Sequence, residues 1–348
     1  GIYNETFNYN GKGITVRSAE GPLTTRIDRN GAGGTVVTAN GTPEGARLEG
    51  IGFYVAGGIM LDCDDAQLVC DNCRFVGCSN EPFTIDGDTG LVTILRAQVI
   101  SCSNRARIGN GTVRIEQSAF RNGSNGGLRI TDGDIEIDSV TFQGNNSFSG
   151  AHLTIAGNPI VSITDSSFTT GESENFGGAL LADGDFNLVL NRCSFSDSKL
   201  FYDPPCTNGA SNEDIRGGTL CLVGGTTSLI ECSIQSSLSE KRNGSCSVIA
   251  YSVGDAIGGA VYVESGILDL QTVSFTDCSV RRSMNNNIGR AAYGGAIYAL
   301  DSVLNMEGCS FVDCRTQTGG SSGNNLPTNG AALYSRSCDI SMDGVQVT

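Results

Sequence analysis

Tryptophan is absent from the 348 residues, His152 is the only histidine, Lys12, Lys199 and Lys241 are the only lysines, and proline occurs 7 times. The side chains that most often stack on sugars and shuttle protons near neutral pH are thus missing or solitary. A formal net charge of -15 repels phosphate backbones and anionic lipid, which excludes nucleic acid as a partner. No apolar run approaches the roughly 20 residues that span a bilayer, so membrane insertion by a helix is not expected. The opening GIYNETFNYN lacks the basic and apolar segments of a signal peptide. Present instead are 48 glycines, 14 cysteines and a hydrophobic fraction of 39% spread along the chain, a composition that can bury a core. Cysteines in such number, without zinc-type spacing, favour an oxidising compartment, hence an extracellular or cell-surface location.

The chain repeats itself. GGAVYVESGILDLQTVSFTDCSV at 258–280 returns as GGAIYALDSVLNMEGCSFVDCRT at 294–316. Aligned on the phenylalanine of this unit, the copies give an apolar column: Phe53, Phe75, Val99, Phe120, Phe142, Phe168, Phe195, Ile234, Phe275, Phe311 and Val345. Two positions earlier stand small or apolar residues such as Cys73, Ala97, Cys232 and Cys309, with Asp343 as the exception. Five and seven positions earlier stand apolar pairs such as Leu268 with Leu270 and Leu304 with Met306. Steps of two belong to strands with one buried face, and the single step of three marks a corner that keeps both flanking side chains inward. Glycine doublets, Gly217-Gly218 and Gly258-Gly259 among them, open a third strand.

A unit of three short strands cannot bury its apolar face alone, and stacked units can. The pattern predicts an all-β parallel solenoid of about ten to twelve coils, one domain over residues 1–348, with adjacent coils about 4.8 Å apart. Spacing between copies grows after Phe195 while the strand template is unchanged. The added length is therefore expected in long loops of the C-terminal half, all leaving one corner. Both ends enter a coil without a polar cap. The chain is read as an excerpt of a longer rod or as a unit that stacks end to end on copies of itself.

The opening GIYNETFNYNGKGITVRS followed by TTRID resembles the first coil of right-handed parallel β-helix proteins of the pectate-lyase-like superfamily. GGAL, GGAV and GGAI followed by CSFSDS, SFTDC and CSFVDC resemble the GGA(I/L/V) and FxxN repeats of polymorphic outer membrane proteins. The resemblance implies a right-handed β-helix and a surface adhesin. The sequence departs from that family where it has Asn three residues after Phe: only Asn145 matches, Cys78, Cys102, Cys278 and Cys314 take the position in four coils, and Gly or Ser takes it in others.

Cys78 with Cys102 and Cys278 with Cys314 fall at one position of consecutive coils, where parallel pairing sets Cα separations that a disulfide permits. Bridged pairs and stacked thiols both remain open, and Cys206 with Cys246 form a further candidate pair between long loops. Asp62, Asp86, Asp132 and Asp183 follow the glycine strands; they suit ordinary turns, with Ca²⁺ ligation the alternative cofactor reading. Asn4, Asn40, Asn110, Asn122, Asn145 and Asn243 head N-x-S/T sequons. The preferred functional reading is a non-catalytic extracellular adhesin or structural rod whose partners are other protein chains, copies of itself or surface glycans. The alternative is a polysaccharide lyase or hydrolase of the pectate-lyase-like superfamily, since two carboxylates on adjacent coils need no sequence motif.

Overall fold

A computed structural model of the chain describes residues 1–31, 33–54, 57–202, 214–241, 255–284, 291–320 and 328–348. Every regular element among them is a strand. The strands build three parallel walls of 13, 12 and 12 members, and a fourth sheet of 10. The first 49 residues supply turns that the phenylalanine alignment did not include: Ile27 pairs with Phe53, and Tyr3 with Ile27.

Contacts divide the chain into two compact units, one formed by Gly1–Asn146, His152–Ser167 and Asp185–Asn187, the other by Ser147–Ala151, Phe168–Gly184 and Leu188–Thr348. In the first unit a representative coil runs through Leu91–Leu95, Gln98–Ile100 and Ala106–Ile108. Its Ile94 pairs with Cys70 of the coil before and Ile115 of the coil after, and all three are buried. The second unit repeats the plan: Leu268 pairs with Leu304, Leu270 with Met306, and Phe275 with Phe311, all inside. Stacked phenylalanines line both interiors, with Phe120 and Phe142 centroids 5.0 Å apart and Phe275 and Phe311 4.8 Å apart.

The step of three has a local cause. The residue three before each column position adopts a left-handed backbone: Asn72 (φ 50), Arg96 (φ 51), Gln117 (φ 48), Glu231 (φ 52) and Thr272 (φ 55) are examples. One left-handed residue reverses the strand's alternation, so the side chains on both sides of it point inward. Non-glycine residues pay roughly 1–2 kcal/mol for that conformation, which the packed columns above and below offset. The glycine doublet answers two separate demands. Gly217 needs its positive φ of 71, while a Cβ on Gly218 would lie 2.0 Å from the carbonyl oxygen of Gly259 in the next coil.

The last copy corrects the sequence alignment. Phe311 pairs with Val347, not Val345. Ile340 and Met342 then continue the Leu304 and Met306 rows, and Val345 replaces Asp343 two positions before the column, which removes the apparent exception.

Candidate functional site

The expected long loops have strand roots. In one coil of the second unit Glu172–Phe176 crosses the corner as a single strand. In the next coil that crossing is split: Lys199 and Leu200 pair with Glu172 and Ser173, and Arg216 pairs with Phe176. Three more coils repeat the split, with Leu238–Lys241, Ser279–Met284 and Arg315–Gly320 leaving and Ala256–Ile257, Ala292–Tyr293 and Thr328–Asn329 returning. Leaving strands pair with leaving strands, and returning with returning. The two sets share a small apolar cluster of Leu200, Ile215, Ala256, Val280 and Ala292. The leaving strands and the returning strands are therefore each in stacked register on one wall; residues 203–213, 242–254, 285–290 and 321–327 between them lie outside the described residues.

Beside the returning strands, the outer face of the second wall carries aromatic rings. Tyr262, Tyr298 and Tyr334 occupy one register position of three coils, their ring centroids 5.5 and 5.2 Å apart. Tyr293 meets Tyr298 edge-on at 6.2 Å. The Arg216 guanidinium lies 5.0 Å above the Tyr262 ring and pairs with Glu264 at 2.8 Å, while the Tyr262 hydroxyl donates to the same carboxylate at 2.7 Å. Burial, and then the neighbouring Tyr334, push the Tyr298 phenol up to about 12. For Tyr262, burial and the hydrogen bond to Glu264 push in the same direction. The sequence displayed this column as the tyrosines of VYV, IYA and LYS, one per copy, although apolar patterning alone does not distinguish an outward ring from a core residue.

A groove of about 520 Å³ lies on the third wall of the same unit, and Ser228, Asp269, Gln271, Asn305, Glu307 and Asp343 are among its lining residues. Asp269 accepts a hydrogen bond from the Asn305 amide at 2.7 Å. Gln271, Glu307 and Asp343 form one register row, so two carboxylates stand on adjacent coils.

The aspartates singled out from the sequence do not share a row. Asp62 accepts from the Thr84 hydroxyl at 2.6 Å, whereas Asp86 pairs in register with Asp64 and approaches Arg107 at 3.3 Å. Burial raises the Asp86 carboxyl above its ordinary range. Asp132 accepts from the Gly133 amide in its own turn, and Asp183 pairs in register with Val223. Among the described residues no three His, Cys, Asp or Glu side chains are grouped to hold a metal ion.

The corner three residues after the column explains the family-like position. Asn145 is buried; it donates to the Phe120 carbonyl at 3.1 Å and accepts from the Gly123 amide at 2.8 Å. Its amide also meets Nδ1 of His152 at 2.9 Å; because the amide nitrogen can only donate, that ring nitrogen accepts. Cys102 and Cys314 direct their thiols at the carbonyls of Phe75 and Phe275, 3.9 and 3.8 Å away, and Cys278 does so to Ile234 at 3.8 Å. Cysteine thus serves as a weak donor where asparagine serves as a strong one. Cys78 and Cys102 are in thiol contact, as are Cys278 and Cys314, and all four are free thiols. Enclosure removes Asn145 from the glycosylation candidates. Asn4, Asn40 and Asn122 are exposed, and Asn110 is half-buried and hydrogen-bonded to Asp88. Cys206, Cys246 and Asn243 lie outside the described residues.

Parallel walls, in-register columns and inward corners define the class: the chain is a right-handed parallel β-helix. No protein-family model and no curated protein matches it. Similar solved structures include the catalytic domain of a GH87 alpha-1,3-glucanase in complex with tetrasaccharides, at 11% identity and TM-score 0.37, over 99% of this chain and 63% of that one. The same type of domain in complex with nigerose is similar at 10% identity and TM-score 0.35, over 99% and 62%. A third is the surface protein and adhesin PfbA of Streptococcus pneumoniae, at 10% identity and TM-score 0.22, over 98% and 91%. The chain spans less than two thirds of the length of the glucanase domains.

Proposed function

We propose that this chain is a non-catalytic extracellular or cell-surface β-helix that presents its C-terminal insertions to a partner, in the manner of an adhesin. The observation that carries the reading is the fourth sheet. Four successive coils send out one strand and take back another on one wall in register, beside a column of tyrosines, so neighbouring leaving strands are held about 4.8 Å apart. Loops set on a rigid scaffold are where recognition residues concentrate. The likeness of the GGA(I/L/V) copies to polymorphic outer membrane proteins supports the same reading, with other protein chains or surface glycans as partners. The test is to replace insertions 203–213, 242–254 and 285–290 with short turns and measure binding to host-cell surfaces and glycan arrays. Binding is expected to vanish while the thermal midpoint is kept. Undiminished binding by the trimmed chain would contradict the proposal.

A second reading, hydrolysis or lysis of a polysaccharide, is favoured by the groove in which Glu307 and Asp343 stand on adjacent coils. Screening acidic and neutral polysaccharides for reducing or unsaturated products tests it. Turnover abolished by Glu307→Gln would establish this reading over the first.

A further inference from the structure

The thiol pairs among the described residues are not equivalent. Cys78 and Cys102 are both fully enclosed, and so are Cys193 and Cys232. Only in the pair Cys278 and Cys314 is one partner reachable: Cys278 is buried, whereas Cys314 is half-exposed. Their positions are fixed by the strands on either side. Thr276 pairs with Val312, Ser279 with Arg315, and the Arg315 amide donates to the Cys278 carbonyl at 2.9 Å. That register sets the two Cα atoms at the inter-strand spacing of about 4.8 Å, inside the range of a disulfide.

The two sulfurs also differ chemically. Contact with the Cys278 thiol draws the Cys314 thiol below its ordinary range, and backbone hydrogen bonds lower it further. Contact with Cys314, together with burial, holds the Cys278 thiol well above its own ordinary range. The Arg315 and Asp277 side chains pair with each other at 2.8 Å beside the site.

We propose that Cys314 and Cys278 form a reversible disulfide clamp between two consecutive coils, with Cys314 the attacking sulfur and Cys278 the resolving one. The oxidant is a small-molecule disulfide, RSSR. The Cys314 thiolate attacks one sulfur of RSSR, forming a mixed disulfide and releasing RS⁻. Cys278 gives its proton to that RS⁻, and its sulfur attacks Cys314, forming the intrachain S–S bond and releasing a second RS⁻, which takes up the proton that Cys314 shed on ionising. Two protein thiols and RSSR thus give one protein disulfide and two RSH. The sealed pair Cys78 and Cys102 stays reduced because no oxidant reaches either sulfur.

The experiment incubates the folded chain with oxidised glutathione, alkylates remaining thiols rapidly, and maps peptides by mass. The wild type is expected to lose two alkylatable thiols and yield the Cys278–Cys314 linked peptide, with Cys78 and Cys102 alkylated only after unfolding. Cys278→Ser is expected to accumulate a glutathione adduct on Cys314, and Cys314→Ser to leave Cys278 unmodified. Serine is tolerated at this corner because Ser198 and Ser237 occupy it in the two preceding coils, both buried. A wild type whose Cys314 stays free, an adduct on Cys278 in Cys314→Ser, or equal bridging of Cys78 to Cys102 would overturn the proposal.

Discussion

Single side chains in this chain act through vertical neighbours more than through neighbours along the backbone. Phe275 stacks on Phe311 and pairs with Ile234, so truncating it empties a site bounded by two coils. Phe275→Ala is expected to lower stability by about 3–5 kcal/mol, read by urea unfolding. Thr272 illustrates the opposite case, a β-branched residue held at φ 55 where only the turn is needed. Thr272→Gly is expected to raise stability by roughly 1 kcal/mol in the same measurement, because glycine enters that region without steric conflict. Gly218→Ala is expected to prevent stable folding of the second unit, since the added carbon has a carbonyl 2.0 Å away. The inward columns were readable from the spacing of apolar residues, and so were the glycine corners. In DGVQV the two valines, Val345 and Val347, stand in alternate positions and satisfy the column equally. Asp343, two positions before Val345, is what distinguishes them, because that position is small or apolar in every other copy.

Among elements, the split corner of the fourth sheet is the one that the sequence hid most completely. Its leaving strands alternate only briefly, as in Leu200 and Tyr202, and four to six residues cannot separate a strand from a loop by period alone. The tyrosine column beside it supplies a pH test. Tyr298 holds its phenolic proton up to about 12, against an ordinary value of 10.0. The folded state therefore binds that proton more tightly than the unfolded chain. The associated stability is fully present below about pH 10 and is lost as pH rises toward about 12. Thermal melts across this window are expected to fall for the wild type and to fall less steeply for Tyr298→Phe, which keeps the ring stack and removes the titrating group.

For the molecule as a whole, a solenoid predicts tolerance to losing a repeat and intolerance to losing part of one. Asp277 and Asp313 occupy equivalent corners, at φ 51 and 53, so deleting residues 277–312 joins Thr276 to Asp313 without changing the template. That variant is expected to fold with a lowered midpoint, whereas deleting 277–296 cuts through a coil and is expected to yield no cooperative transition by circular dichroism. The fold requires coils that stack in register with a left-handed residue at each inward corner. A crystal structure of the chain tests this directly. It is predicted to show Leu268, Leu270, Val273 and Phe275 directly beneath Leu304, Met306, Cys309 and Phe311, with Phe311 paired to Val347. Density placing any of these rows in solvent, or shifting them by a residue, would contradict it.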